Sequence, residues 1–387
     1  MVQGALFLMY HLQEFLKEIG GFAGVSLQPA AGAHGELTGV LMMRAYHLDR
    51  GDERRDVILA PDSAHGTNPA TTTMSGLRVV EIPSDRRGNV DRRALAAACE
   101  EHGDRLVGMM LTNPNTLGLF EEQVEEIAGL VHAHGGLMYG DGANMNALLG
   151  IARPGDLGFD VLHYNLHKTF STPHGGGGPG SGPVGASERL AEFLPAPIVA
   201  RDPERSNDEA EFYTFVSPSR SIGRVKAFYG HFGVLVRAYT YIRMLGPDGL
   251  RKVAEHAVLN ANYLKSRVQD TYPVPYERTC MHEFVCEGRF PGAPDVRALD
   301  VSKRLIDYGF HPPTNYFPLI VHEALMIEPT ETESKEMLDA FAEALLRIAE
   351  EARTAPDLLH AAPHSAPVRR LDEVQAAKEL ILRWEPK

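Results

Sequence analysis

Two residues set the first question. Lys168 follows the apolar run Val161–His163, through Tyr164, Asn165, Leu166 and His167, and Asp141 follows the run Leu137–Tyr139 before it. A lysine taken alone is ordinarily a solvated surface charge, and an aspartate at the end of an apolar run is ordinarily a helix cap. One after each of two successive apolar runs, they suit another chemistry. A lysine amine can form an imine with a carbonyl cofactor, while a carboxylate keeps a pyridine nitrogen protonated, so that the ring accepts an electron pair from a substrate carbanion. That is the chemistry of pyridoxal 5'-phosphate (PLP). An imine needs the neutral amine, and burial beside apolar and cationic neighbours favours it, so Lys168 is predicted to be buried.

Two further stretches could complete such a site. Gln28-Pro29-Ala30-Ala31-Gly32-Ala33-His34-Gly35-Glu36 follows an apolar run and opens a helical pattern. Small residues such as Gly32 and Ala33 let backbone N–H groups approach a phosphate, with the helix N-terminus adding positive potential and His34 standing over whatever the phosphate anchors. Plain close packing of a helix on a sheet explains the same residues. Leu111-Thr112-Asn113-Pro114-Asn115-Thr116-Leu117-Gly118 offers Thr112 and its neighbours to a cofactor oxygen or a substrate, and reads equally well as a Pro-Gly turn.

Other chemistries lack their marks. Gly175–Gly180 satisfies GxGxxG, but Pro179 falls where a dinucleotide-binding helix should begin. His163 and His167, or His132 and His134, come without HExxH or paired-cysteine spacing, so no metal site is expected. Neither a GxSxG elbow nor a GxxxxGK[ST] loop occurs.

The elements around these residues predict an α/β protein. Apolar runs at Gly24–Leu27, Val57–Ala60, Arg78–Ile82, Leu106–Leu111, Leu137–Tyr139 and Val161–His163 alternate with helical patterns at Gly35–His47, Thr67–Met74, Arg92–Glu101 and Glu121–His134. Strands separated by helices of this length indicate a mainly parallel sheet flanked by helices, with ligands outside the carboxyl ends of the strands. Ile222–Arg243 and Asp248–Gln269 read as two helices split by Gly246-Pro247. Short strands at Val274–Tyr276 and His282–Cys286, then helices at Asp300–Tyr308 and Thr332–Ala352, suggest a smaller α+β domain. The expected divisions are an N-terminal helix over 1–20, a large cofactor-binding domain over 21–245 and a small domain over 246–387.

Composition sets outer limits. At 387 residues with 44% hydrophobic and 23% charged content, the chain can bury a large interior. A formal charge of −13 argues against nucleic acid and anionic membrane as partners. Three cysteines without CxxC spacing fit a reducing cytoplasm, and no stretch suits a membrane span.

At the motifs SLQPAAGAHGELTG (Ser26–Gly39), DSAHGTNPATT (Asp62–Thr72), LTNPNTLGLFE (Leu111–Glu121), YGDGANMNALLG (Tyr139–Gly150) and NLHKTFSTPHGGGGPG (Asn165–Gly180), the chain resembles a known family. It is the C-terminal half of glycine dehydrogenase (decarboxylating), the P-protein of the glycine cleavage system, in its two-subunit bacterial and archaeal form. The resemblance covers nearly the whole chain. It implies a PLP-dependent fold type I enzyme with a seven-stranded sheet, PLP held as an imine on Lys168, Asp141 on the pyridine nitrogen, Ala143 against one ring face and His34 on the other. It also implies decarboxylation of glycine and transfer of the aminomethyl group to the lipoyl arm of H-protein, with His34, His65 and His167 as candidates for handling protons. An N-terminal-type P-protein subunit in an α2β2 assembly is the implied partner. The glycine carboxylate anchor stays open: Arg220 and Arg224 are candidates, and a surface role fits them equally.

Family members carry roughly ninety further residues, including an SCTMKYNP-like segment, ahead of the VQGAL helix, whose first N–H groups have no capping residue in this chain. A truncated chain or a mispredicted start is therefore expected, with weak or no turnover even with the partner subunit present. Two rival readings are another fold type I PLP enzyme, such as an aminotransferase, cysteine desulfurase or amino-acid decarboxylase, and a non-catalytic scaffold of the same fold.

Overall fold

The computed structural model describes residues 2–172, 178–207 and 210–384. Two compact units divide the chain: 1–262 with 276–284 and 329–332, and 263–275 with 285–328 and 333–387. The first unit thus runs past Gly246, where the sequence suggested a boundary, and includes the N-terminal helix.

The first unit is built on a seven-stranded sheet. Its strands are β1 (Gly24–Ser26), β2 (Val57–Pro61), β3 (Arg78–Ile82), β4 (Leu106–Thr112), β5 (Leu137–Gly142), β6 (Val161–Tyr164) and β7 (Val184–Ala186), in the order β1-β7-β6-β5-β4-β2-β3. Only β7 runs against the others, pairing antiparallel with both β1 and β6. Strands β2, β5 and β6 are buried at every residue and β4 at all but its last, as expected where helices cover both faces of a parallel sheet.

The helices are α1 (Gln3–Gly20), α2 (Gly32–Asp49), α3 (Thr67–Met74), α4 (Arg92–His102) and α5 (Val124–Ala133). On one face Val40, Met42 and Met43 of α2 pack with Val107, Met110, Leu137, Tyr139 and Val161. On the other, residues of α1, α4 and α5 pack with Leu59, Met109, Leu111, Met138 and Leu162. No side chain caps the start of α1, yet its buried stripe Leu6, Met9, Leu12 and Leu16 joins the core, and Gln13 exchanges two hydrogen bonds with the Val199 backbone. Leu16 is fully buried, so Leu16→Ala is expected to cost about 2–5 kcal/mol in denaturant unfolding. A loss under 0.5 kcal/mol would mean that α1 is not docked.

A two-stranded ribbon of β8 (Ile198–Arg201) and β9 (Tyr213–Val216) precedes α6 (Phe232–Val268). The sequence suggested a helix from Ile222, but α6 begins at Phe232. The expected break survives as a kink at Gly246, whose φ of 63° takes the chain out of helical geometry just before Pro247. Val274–Tyr276 forms no strand. The second unit holds a three-stranded sheet in the order β10-β12-β11, from β10 (Phe284–Glu287), β11 (Thr314–Asn315) and β12 (Ala324–Ile327), with α7 (Ala298–Asp307), α8 (Lys335–Thr354) and two short helices, α9 (Pro356–His360) and α10 (Glu373–Lys378). Among the described residues no helix is long and apolar enough to cross a membrane.

Candidate active site

The parallel register fixes the centre of the site. Thr112 pairs with Asp141 and Asp141 with His163, so three polar residues sit side by side at the carboxyl ends of β4, β5 and β6. Strand alternation puts them on the face that carries Tyr139 and Val161, which α2 covers. The loops leaving β1 and β2 at the same end lead to α2 and α3.

Asp141 is held from several sides. Asn68 on α3 donates to its Oδ2 at 3.1 Å, and the Ala143 backbone N–H approaches Oδ1 at 3.4 Å. His163 Nε2 lies 3.6 Å from Oδ1, too far for a hydrogen bond. Behind it, Tyr139 Oη is 2.5 Å from His163 Nδ1. Burial holds the Tyr139 phenol protonated and the His163 ring neutral. The phenol therefore donates to Nδ1, and the imidazole proton sits on Nε2, towards Asp141.

Lys168 stands beyond the end of β6. The strand closes in a turn in which the Lys168 N–H donates to the Asn165 carbonyl at 3.0 Å, and Leu166 and Phe170 drop into the core on either side. This turn carries the Lys168 side chain out of the packed sheet, so it is exposed rather than buried as the sequence suggested. Among the described residues it has no hydrogen bond or ion pair, while its charge acts on His163 and helps to keep that ring neutral. His167 beside it accepts the Ser181 N–H on Nδ1. Gly175, Gly176 and Gly177 of the glycine run lie outside the described residues.

The start of α2 meets this turn. A Cβ on Gly32 would stand 2.3 Å from Asn165 Oδ1, and one on Gly182 would stand 2.0 Å from the Ala31 carbonyl, so only glycine allows such an approach. Among the described residues no side chain caps α2, and the first-turn N–H groups, those of Gly32 and Ala33 among them, have no intrahelical partner. His34 has both ring nitrogens engaged: Nδ1 accepts the Ala30 N–H at 3.2 Å, and Nε2 lies 3.0 Å from the Val225 carbonyl and so carries the proton. Burial, with Lys226 adding to it, lowers its pKa and keeps it neutral. In this arrangement it has no free nitrogen for a substrate proton.

The arginine candidates separate. Arg220 is tied into surface ion pairs with Asp49 and Glu192. Exposed Arg224 lines, with His34, an open groove of about 430 Å3 along α2 whose lining includes neither Asp141 nor Lys168.

Sequence reasoning missed Glu36 and Asn68. Glu36 accepts from the same Asn68 amide nitrogen at 3.0 Å, which places a second buried carboxyl behind Asp141. Both residues stand in motifs singled out from the sequence, yet an acid one turn into a helix reads as solvated, and only the packing of α2 beside α3 brings it here.

The residues fit a phosphorylated pyridine aldehyde. Among the described residues, buried Thr112 Oγ1, Asn165 Oδ1 and Ser181 Oγ have no hydrogen-bond partner, which is costly unless a ligand satisfies them. They accompany a carboxylate, a free amine and an uncapped helix start, the groups that the ring nitrogen, the aldehyde and the phosphate respectively require. No group of three or more His, Cys, Asp or Glu side chains among the described residues is placed to hold a metal ion.

The topology is that of the fold type I class of PLP-dependent enzymes. A glycine decarboxylase (P-protein) crystal structure in inhibitor-bound form superposes with a TM-score of 0.74 at 20% identity, covering 89% of this chain and 76% of that one. A cysteine desulfurase from Thermococcus onnurineus NA1 gives 0.65 at 15% identity, covering 89% and 84%. Residues 253–364 match the family described as glycine dehydrogenase, C-terminal domain. Two proteins named probable glycine dehydrogenase (decarboxylating) subunit 2, from Caldanaerobacter subterraneus subsp. tengcongensis and Pyrococcus horikoshii, are 59% and 56% identical. Each alignment covers 99% of this chain, with 77% and 76% of the relatives covered. The chain belongs to the glycine dehydrogenase (decarboxylating) subunit 2 family.

Proposed function

We propose that the chain is the PLP-carrying subunit of a glycine-decarboxylating enzyme, working in the cytoplasm with an N-terminal-type partner subunit in an α2β2 assembly. The observation that carries this reading is the placement of Asp141 and Lys168 at the ends of neighbouring strands, with the uncapped start of α2 against the turn between them. When bound, PLP supplies an electron sink for the pair released as CO2 leaves glycine.

The residues divide the work. Lys168 would hold the cofactor between turnovers and supply an amine for moving a proton. Asp141 fixes the charge of the ring nitrogen, and Ala143 packs beside it. Gly32 and Ala33 would offer N–H groups to the phosphate, Thr112 would bond a cofactor oxygen, and His34 and His167 would border the ring and the lysine. In the net reaction the Cα–carboxylate bond of glycine breaks, a Cα–S bond forms to lipoylated H-protein, and the lipoyl S–S bond opens with its second sulfur taking a proton. The glycine carbon is oxidised and the disulfide reduced, so electrons balance.

Exchange of labelled bicarbonate into glycine tests this. Exchange is expected to need PLP and to rise with H-protein in the presence of the partner subunit. Transamination of a keto acid without exchange would instead place the chain among the aminotransferases of its fold.

A further inference from the structure

Glu36, Asn68 and Asp141 form a buried set that the proposed roles leave unexplained. They come from α2, α3 and β5 and are 2%, 0% and 7% exposed. One amide nitrogen, Asn68 Nδ2, stands 3.0 Å from Glu36 Oε1 and 3.1 Å from Asp141 Oδ2. The hydroxyls of Thr67 and Thr71 also bond to Glu36. The amide has two protons, so each carboxyl takes one. The Asn68 carbonyl oxygen, Oδ1, has no hydrogen-bond partner among the described residues.

We propose that Glu36 is a positioning residue that acts through Asn68 to orient Asp141, and that its carboxyl gives up a proton when a cationic ring nitrogen settles on Asp141. The inference rests on the PLP reading above. Two carboxylates behind one neutral amide repel each other in a low-dielectric interior, and among the described residues no lysine or arginine is bonded to either. Burial first, and Asp141 second, push the Glu36 carboxyl up to about 7. The other titratable groups around the set are Tyr139 on β5, held protonated, and His163 on β6, held neutral, with Lys168 and His65 acting on His163 from beyond β6 and before α3. A pyridinium at Asp141 supplies the missing positive charge. Asp141 then repels Glu36 less, and the Glu36 proton leaves more readily.

The sign of the pH effect follows. A ligand that lowers the pKa of a group binds the deprotonated form more tightly, so affinity for PLP rises with pH through the Glu36 titration. Other protons shift as PLP binds, those of Lys168 and of the phosphate among them. They are common to the wild type and to Glu36→Gln, and cancel in the comparison.

Calorimetric titration with PLP, at pH 6, 7 and 8 in buffers of different ionisation enthalpy, tests the idea. Near pH 7 the wild type is expected to release up to about half a proton more than E36Q, because a carboxyl at about 7 is half protonated there. The ratio of wild-type to E36Q affinity should rise roughly three- to tenfold from pH 6 to 8. Equal proton counts with parallel pH profiles would overturn the role of Glu36. If E36Q does not fold, Glu36→Ala takes its place in the same comparison, and equal proton counts with parallel pH profiles again overturn the proposal. A wild type that binds no PLP refutes instead the reading on which it rests.

Discussion

Replacing Lys168 with alanine is expected to abolish borohydride-stable attachment of PLP and to lower H-protein-dependent bicarbonate exchange at least about a thousandfold, within the range for loss of a residue that both anchors and moves protons. Stability should hardly move. The side chain is exposed and has no hydrogen bond or ion pair among the described residues, so its loss falls in the ±0.5 kcal/mol class of surface substitutions. The pairing of a large functional loss with an unchanged unfolding curve marks a lysine kept for chemistry rather than for packing. Peptide mapping after reduction closes the test. Label on Lys226, the lysine beside His34, would transfer the anchoring role away from the end of β6.

Much of this site was legible because it lies at the ends of buried strands. Val57–Pro61, Leu106–Thr112 and Leu137–Gly142 are continuous or nearly continuous buried runs, and such runs announce parallel strands whatever the surrounding loops do. Once those strands are placed, Thr112, Asp141 and Lys168 fall at one end of the sheet. The antiparallel β7 gave no such signal: Val184-Gly185-Ala186 is three residues long with a glycine in the middle. Its pairing is nevertheless what joins β1 to the sheet, one strand away from β6, and so brings α2 over β6.

What the sequence could not show is tertiary contact between helices. Glu36 and Asn68 are 32 positions apart and meet because α2 and α3 lie on one face of the sheet. The exposure of Lys168 was hidden for a related reason. The need for a neutral amine suggested burial, whereas the Asn165–Lys168 turn follows the strand and lifts the Lys168 side chain clear. The double engagement of His34 depends on Val225, 191 positions away, and no local pattern announces that.

Asp141→Asn gives the second large effect, and its value lies in what should not change. Asparagine keeps the size of the side chain and can still accept from Asn68, but it brings no charge to a ring nitrogen. Turnover is expected to fall about 10²- to 10³-fold, the usual cost of removing one preorganised electrostatic group from a reacting centre. The folded state, by contrast, loses a repulsion. Asp141 is the second-largest cause raising the Glu36 carboxyl, so its neutralisation lets that group move back towards the ordinary carboxylate range. A carboxyl whose folded pKa is raised makes folding less favourable as pH rises through its unfolded value, near 4.5, up to the folded one, about 7. Relieving that shift returns stability above the window, so D141N should unfold no lower than the wild type at pH 8, with the smallest gain near pH 4. Thermal unfolding at both pH values, beside exchange kinetics, separates the outcomes. A fall in activity accompanied by an equal fall in stability at pH 8 would make Asp141 a structural acid, and its place at the end of β5 a matter of packing. Activity lost while stability holds or rises would mean that the chain keeps a repelling pair of carboxyls because a cation is meant to sit between them and the open end of the sheet.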